Sequence, residues 1–109
     1  MTAEFRVDVE TALRGAQVDT GEMVHCLGCT AQLFEGRPVT VIARTRTGGW
    51  DVEAVFCAQC APDELAGVER RDSEGIALAE AELATVTRRQ QVWLSLVLVD
   101  VLGWIEPRR

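Results

Sequence analysis

The sequence predicts a small α+β domain stapled by a metal ion, and three observations predict it. Two Cys-x-x-Cys pairs, Cys26/Cys29 and Cys57/Cys60, stand with 27 residues between them. The segment between them alternates apolar and polar residues around a Gly-rich turn, which is the pattern of a hairpin. After the second pair comes a run rich in Val, Leu and Thr that reads as an antiparallel β extension.

A chain of 109 residues fits one small domain. With 48% hydrophobic residues it is not a disordered chain. Many of those residues are Ala and Val, and the aromatic set is three Trp and three Phe without Tyr. Such a core is modest, and a bound metal then contributes folding energy directly.

The organisation reads as residues 1–24, an N-terminal arm or short helix; 25–67, a cysteine-bearing hairpin module; and 68–109, a C-terminal β extension packed on it. In the arm, a short helix is expected across Asp8 to Gln17, capped by Asp8, with Val9 and Leu13 as a weak apolar face. Gly15 and Gly21 weaken or end it. In the module, Gly36-Arg37-Pro38 makes a turn, Val39 to Arg46 a strand, Thr47-Gly48-Gly49 a second turn, and Trp50 to Phe56 the returning strand. Leu33 and Phe34 are expected in the small core, and Trp50 packs over it or offers a docking aromatic.

Beyond Cys60, Pro62 with Asp63 and Glu64 reads as a helix start that Gly67 ends. Knuckle, hairpin and a helix at the second pair is the order of a treble-clef site. If Pro62 only turns the chain, the order is that of a zinc ribbon. Residues 76–90 fit one face of a long helix, but Thr85-Val86-Thr87 and the β-rich run Val92 to Val99 favour strands, with Arg88 to Gln91 as the loop. Gly103 to Pro107 forms a short closing strand. The apolar edge carrying Val92 to Val99, flanked by Trp93 and Trp104, must be covered by this chain or by a second copy.

Two Cys-x-x-Cys turns can each grip one ion, and the hairpin brings them together so that Cys26, Cys29, Cys57 and Cys60 surround it tetrahedrally. The expected ion is Zn2+ in a structural role, with no open position for activating water. Iron is the alternative, but the turns lack the proline-and-glycine pattern of rubredoxins. A redox pair would want a strand and a βαβ setting, which neither pair has. Paired cysteines and no recognisable secretory start suit a reducing cytoplasm better than disulfides. Val92 to Ile105 is too short and interrupted to span a membrane. His25 is a neighbour of Cys26, read as partly exposed, with ligation or a hydrogen bond to a ligand as its alternatives.

The chain resembles a group of small, uncharacterised haloarchaeal proteins with a zinc-ribbon or treble-clef-like fold. The resemblance is carried by the two cysteine pairs, Val55 to Cys60, Leu83-Ala84-Thr85-Val86, Gln91, Leu96 to Leu102 and Pro107, and spans residues 24–107. It implies a bound zinc and adds no activity.

A formal charge of −6, from 17 acids against 11 bases, disfavours broad attraction to a phosphate backbone. It also suits a salt-rich cell, where exposed charges are screened. The expected function is therefore that of a non-enzymatic zinc module that binds a protein partner or a second copy of itself. The alternative is a nucleic-acid-associated regulator using a face made of Arg37, Arg44 and Arg46, extended by Arg88-Arg89. An enzyme would have to use Glu80 and Glu82, two apart on one strand face, and no Ser/His/Asp or two-carboxylate site can be placed around them.

Overall fold

A computed structural model describes residues 2–21, 23–46, 49–65 and 74–106. The described residues form one helix, α1 (Thr2–Leu13), and seven strands: β1 (Gln17–Thr20), β2 (Met23–His25), β3 (Gln32–Phe34), β4 (Pro38–Arg46), β5 (Gly49–Phe56), β6 (Ile76–Arg88) and β7 (Gln91–Ile105). Five strands form one antiparallel sheet in the order β1-β7-β6-β4-β5, and β2 with β3 forms a separate two-stranded piece. The domain is mostly antiparallel β with one short helix.

The helix begins earlier than the sequence suggests. Asp8 lies inside α1 and caps nothing; Val9 and Leu13 are both fully buried. Two anchors one turn apart suffice beside exposed Val7, Asp8, Thr11 and Ala12, because burial rather than propensity decides a short helix. Gly15, at φ +77°, ends it in the left-handed conformation that a side chain would oppose. Its N–H donates to the Leu96 carbonyl at 2.8 Å, and the Leu96 N–H donates to Ala16 at 3.1 Å, which ties the end of α1 to β7.

Residues 76–105 are two long strands of one hairpin. The turn between them holds Arg89 and Gln90 at φ +50° and +66°, the paired left-handed conformation of a two-residue hairpin turn. The closing segment at Gly103 is no separate strand: β7 runs unbroken to Ile105, and bulges opposite Leu78/Ala79 and Glu80/Glu82 absorb its irregularities. This chain covers the apolar edge itself. β1 pairs with β7 from Gln17↔Ser95 to Thr20↔Trp93, and farther along the Val101 N–H donates to a Glu10 carboxylate oxygen of α1 at 3.1 Å.

Beyond the start of β4, the edge of β6 is closed by the turn before it. Gly36 N–H donates to Leu83, Leu83 N–H to Arg37, and Thr85 N–H to the Glu35 carboxylate at 2.9 Å. The Thr85 hydroxyl and N–H hold the Glu35 carboxyl below its usual range.

The period-2 pattern sorts the sheet into two faces. Val39, Val41, Ala43, Ala77, Ala79, Ala81 and Leu83 join Leu94, Leu96, Val9 and Leu13 in the larger core, where Cys26 and Leu33 also lie. On the other face, Ile42, Ile76 and Leu78 gather under Leu65 in a smaller cluster. α1 contacts β7 and β5, on either side of the small Ala and Val residues of the central strands. Trp50 and Trp104 pack against the larger core; Phe34, expected there, is exposed. Side chains alternate along β3, so with Leu33 turned inward its neighbours Gln32 and Phe34 face out together.

Arg44 is not on an exposed face. It is buried on β4, with its Nε 2.8 Å from Glu53 and Nη1 3.8 Å from Glu74. The guanidinium expected to meet phosphate is already occupied by carboxylates, and this separates it from exposed Arg37. The side chain of Arg46 lies outside the described residues.

After Cys60, residues 61–65 contain no helical turn, so the helix expected at Pro62 is absent there; Gly67 lies outside the described residues. This leaves a fold consistent with a zinc ribbon, with the second cysteine turn running into a loop. Among the described residues no helix is long and apolar enough to cross a membrane.

Candidate metal centre

Each cysteine pair sits where a strand ends. β2 runs into Cys26, and the turn reverses onto β3: the Cys26 N–H donates to Ala31 at 2.8 Å and the Thr30 N–H to Cys26 at 2.9 Å. Thr30 takes φ +62° to make that reversal, and its hydroxyl donates to the Cys29 carbonyl at 2.6 Å. β5 runs into Cys57, whose turn closes with Cys60 N–H donating to Cys57 at 3.2 Å. The two turns are joined across the gap. Leu27 N–H donates to the Val55 carbonyl at 2.9 Å, and Cys57 N–H donates to the Cys26 sulfur at 3.2 Å.

The result is convergence. The four Sγ atoms of Cys26, Cys29, Cys57 and Cys60 all lie within 4.8 Å of one another. The Cys29 and Cys57 sulfurs are 3.8 Å apart. A tetrahedron with metal–sulfur bonds of about 2.3 Å has sulfur–sulfur edges of about 3.8 Å, so the cage is of the right size for an ion. Cys26 is buried, Cys29 is exposed, and Cys57 and Cys60 are intermediate. The donor set is therefore anchored in the interior at Cys26 and reaches solvent at Cys29.

Gly28 is what lets the turns nest. A Cβ at this position would stand 2.8 Å from the Cys60 Cβ and 3.0 Å from its sulfur. No side chain fits there without displacing a member of the cage.

The thiols are electrostatically unequal. Burial pushes Cys26 up, but the N–H groups of Cys57, Cys29 and Gly28, with the Cys29 thiol, stabilise its thiolate and bring it down to about 6. At Cys29 the Ala31 N–H acts downward, yet the thiol is held up overall by donating to Cys26 and Cys57. Cys60 is pushed up to about 12, because it donates to Cys29 and Cys57. One sulfur is thus preformed as the anion a metal needs, and others hold protons that a metal must displace.

The family model of a domain of unknown function, DUF8112, matches residues 6–106, a span that includes all four cysteines and every strand of the sheet. The chain belongs to the DUF8112 family. No curated protein and no solved structure matches it. Within this DUF8112 chain the cage is the convergent set of metal-ligating side chains among the described residues.

The structure brings together the four predicted cysteines and leaves the other candidates outside. His25 pairs with Gln32 at the end of β2 and is exposed. Glu80 and Glu82 are on β6 and line a groove that Ala58 of the second cysteine turn also borders, but they are not among the converging ligands. Sequence reasoning missed Gly28 as a determinant of the cage, though glycine at the third position of a Cys-x-x-Cys turn was a usable signal. It also missed Leu98, for which composition offers none.

Proposed function

We propose that the protein is a non-catalytic zinc-ribbon module whose four cysteines hold structural Zn2+ and which works by binding a protein partner. The single observation carrying this is the closed four-sulfur cage, supported by backbone N–H groups on both turns. Four thiolates fill a tetrahedral ion, so no position is left for activating water, and the energy of binding goes into the fold. The reading favours zinc over iron because zinc demands only the tetrahedral thiolate set. Free thiols suit a reducing compartment such as the cytoplasm. Arg44's engagement by Glu53 and Glu74 weighs against the phosphate-binding alternative.

Elemental analysis with a thiol titration tests the metal: one zinc per folded chain and no reactive thiols is the expected result. Iron, or four reactive thiols in the folded protein, sinks it. The pH dependence has a definite sign. At pH 7 Cys26 is largely ionised while Cys29 and Cys60 are protonated. Zinc uptake then releases at least those two protons, and affinity falls on acidification by on the order of a hundredfold per pH unit near neutrality. Below about 6 the Cys26 thiolate also takes up a proton, and the fall steepens. Calorimetric titrations in buffers of different ionisation enthalpy count those protons; release of fewer than two at pH 7 contradicts the assignment.

A further inference from the structure

Across the sheet face opposite α1, the rows change character. Arg44, Ile76 and Ile105 align, then Ile42, Leu78 and Gly103, then Thr40, Glu80 and Asp100. The first two rows lie at the smaller apolar cluster under Leu65. The third opens into a groove of about 510 Å³, walled by Asp63 and its neighbours after Cys60 and by the bulged part of β7. Glu80, Glu82, Asp63 and Asp100 line it, and among the described residues none of the lining side chains is basic.

Leu98 forms the lip. Register pairs Glu80↔Asp100 and Glu82↔Val97 leave Leu98 and Val99 opposite Ala81. Val99 turns into the core, whereas Leu98 takes φ +54° and stands 73% exposed. A left-handed backbone opposes a leucine side chain where asparagine or glycine would fit. Leu98 therefore neither fills the core nor relaxes the chain. Leu102, thrown out by the next bulge, is also exposed on the same groove. Two exposed leucines within a ring of carboxylates are complementary to one kind of surface. The carboxylates do not converge as ligands for an ion, since the convergent group among the described residues is the cysteine cage.

We infer that this groove is the docking site of the partner, and that it takes a basic protein segment with an apolar anchor: arginine or lysine side chains meeting Glu80, Glu82 and Asp63, and a leucine-sized residue seated against Leu98 and Leu102. The inference rests on the protein-binding reading above and names the site and chemistry of that binding. The rim charges set orientation and approach, and the leucines supply desolvated contact area.

The test is selection of displayed random short peptides on the zinc-loaded full chain, followed by titration of the enriched peptides against Leu98→Asn and Glu80→Gln/Glu82→Gln. Asparagine is close to leucine in size and tolerates the left-handed backbone, so Leu98→Asn is expected to unfold no earlier than the parent. The enriched peptides should carry Arg or Lys around an apolar residue. Each variant should weaken them on the order of tenfold, and binding should decline with added salt. Peptides that bind both variants as tightly as the parent overturn the groove while leaving protein binding intact. Absence of enrichment, a concentration-dependent dimer abolished by Leu98→Asn, or a clearly lower unfolding midpoint for that variant also overturns it. In the last case Leu98 serves the fold.

Discussion

Cys26→Ser yields a chain that holds no zinc and in which β2, β3 and both cysteine turns no longer pack on the sheet. Cys26 is the thiol on which the cage is built: it is 1% exposed, receives the Cys57 N–H, and is already anionic at neutral pH. A serine hydroxyl does not ionise there, and the three remaining sulfurs leave a buried position without a ligand. Structural zinc contributes roughly 10–16 kcal/mol in small peptides that zinc folds outright, and here that energy organises the two cysteine turns with β2 and β3. The larger core loses Cys26 and Leu33 but keeps Val9, Leu13, Leu83, Leu94 and Leu96 on the five-stranded sheet. Circular dichroism is therefore expected to keep its β signal while hydrogen exchange shows β2 and β3 unprotected. Cys29→Ser, at the exposed corner, should be milder and retain weakened zinc. Equal zinc content in Cys26→Ser and the parent would show that the cage is not the metal site.

Gly28→Ala is the second large effect, and it acts without removing a ligand. One methyl group placed 2.8 Å from the Cys60 Cβ must push either the turn or Cys60 aside. The obstructing atom is next to the backbone and has little freedom to yield. Forced overpacking of this kind costs about 1–3 kcal/mol, which corresponds to zinc held roughly five- to 150-fold more weakly. Competition with a chromophoric chelator measures it directly. Gln59→Ala makes the control, since Gln59 occupies the matching position of the other turn and is exposed. If the two variants bind zinc alike, the close nesting of the turns is not what holds the cage in shape.

Much of this was legible in the sequence because it follows from local chemistry. The cysteine spacing fixes which residues must meet, and the alternation Val39-Val41-Ala43 fixes the face of β4 that is buried. The β-branched Thr85-Val86-Thr87 decided strand over helix, as they do in β6. What remained hidden was settled by long-range packing. The start of α1 depends on Val9 and Leu13 finding a sheet to cover, and Pro62 does not open a helix within residues 61–65 even with two acids behind it. Arg44 and Arg37 look alike in a strand and its preceding turn, but the carboxylates that occupy Arg44 come from Glu53 and Glu74, nine and thirty residues away. The bulge at Leu98 arises from a mismatch of register between two long strands, and no single residue announces it.

The bond from Leu27 to Val55 has a consequence for the whole molecule's solubility. β5 is an outer strand of the sheet, and the first cysteine turn lies against its end near Val55. An uncovered strand flank is a template on which another chain can add itself. When the ion leaves and the turn lets go, that flank is bared next to half-buried Phe56 and Val52. Holding the cysteines together thus also keeps neighbouring copies from zipping onto the sheet, and metal-starved protein is the form that should gather into β-rich aggregates.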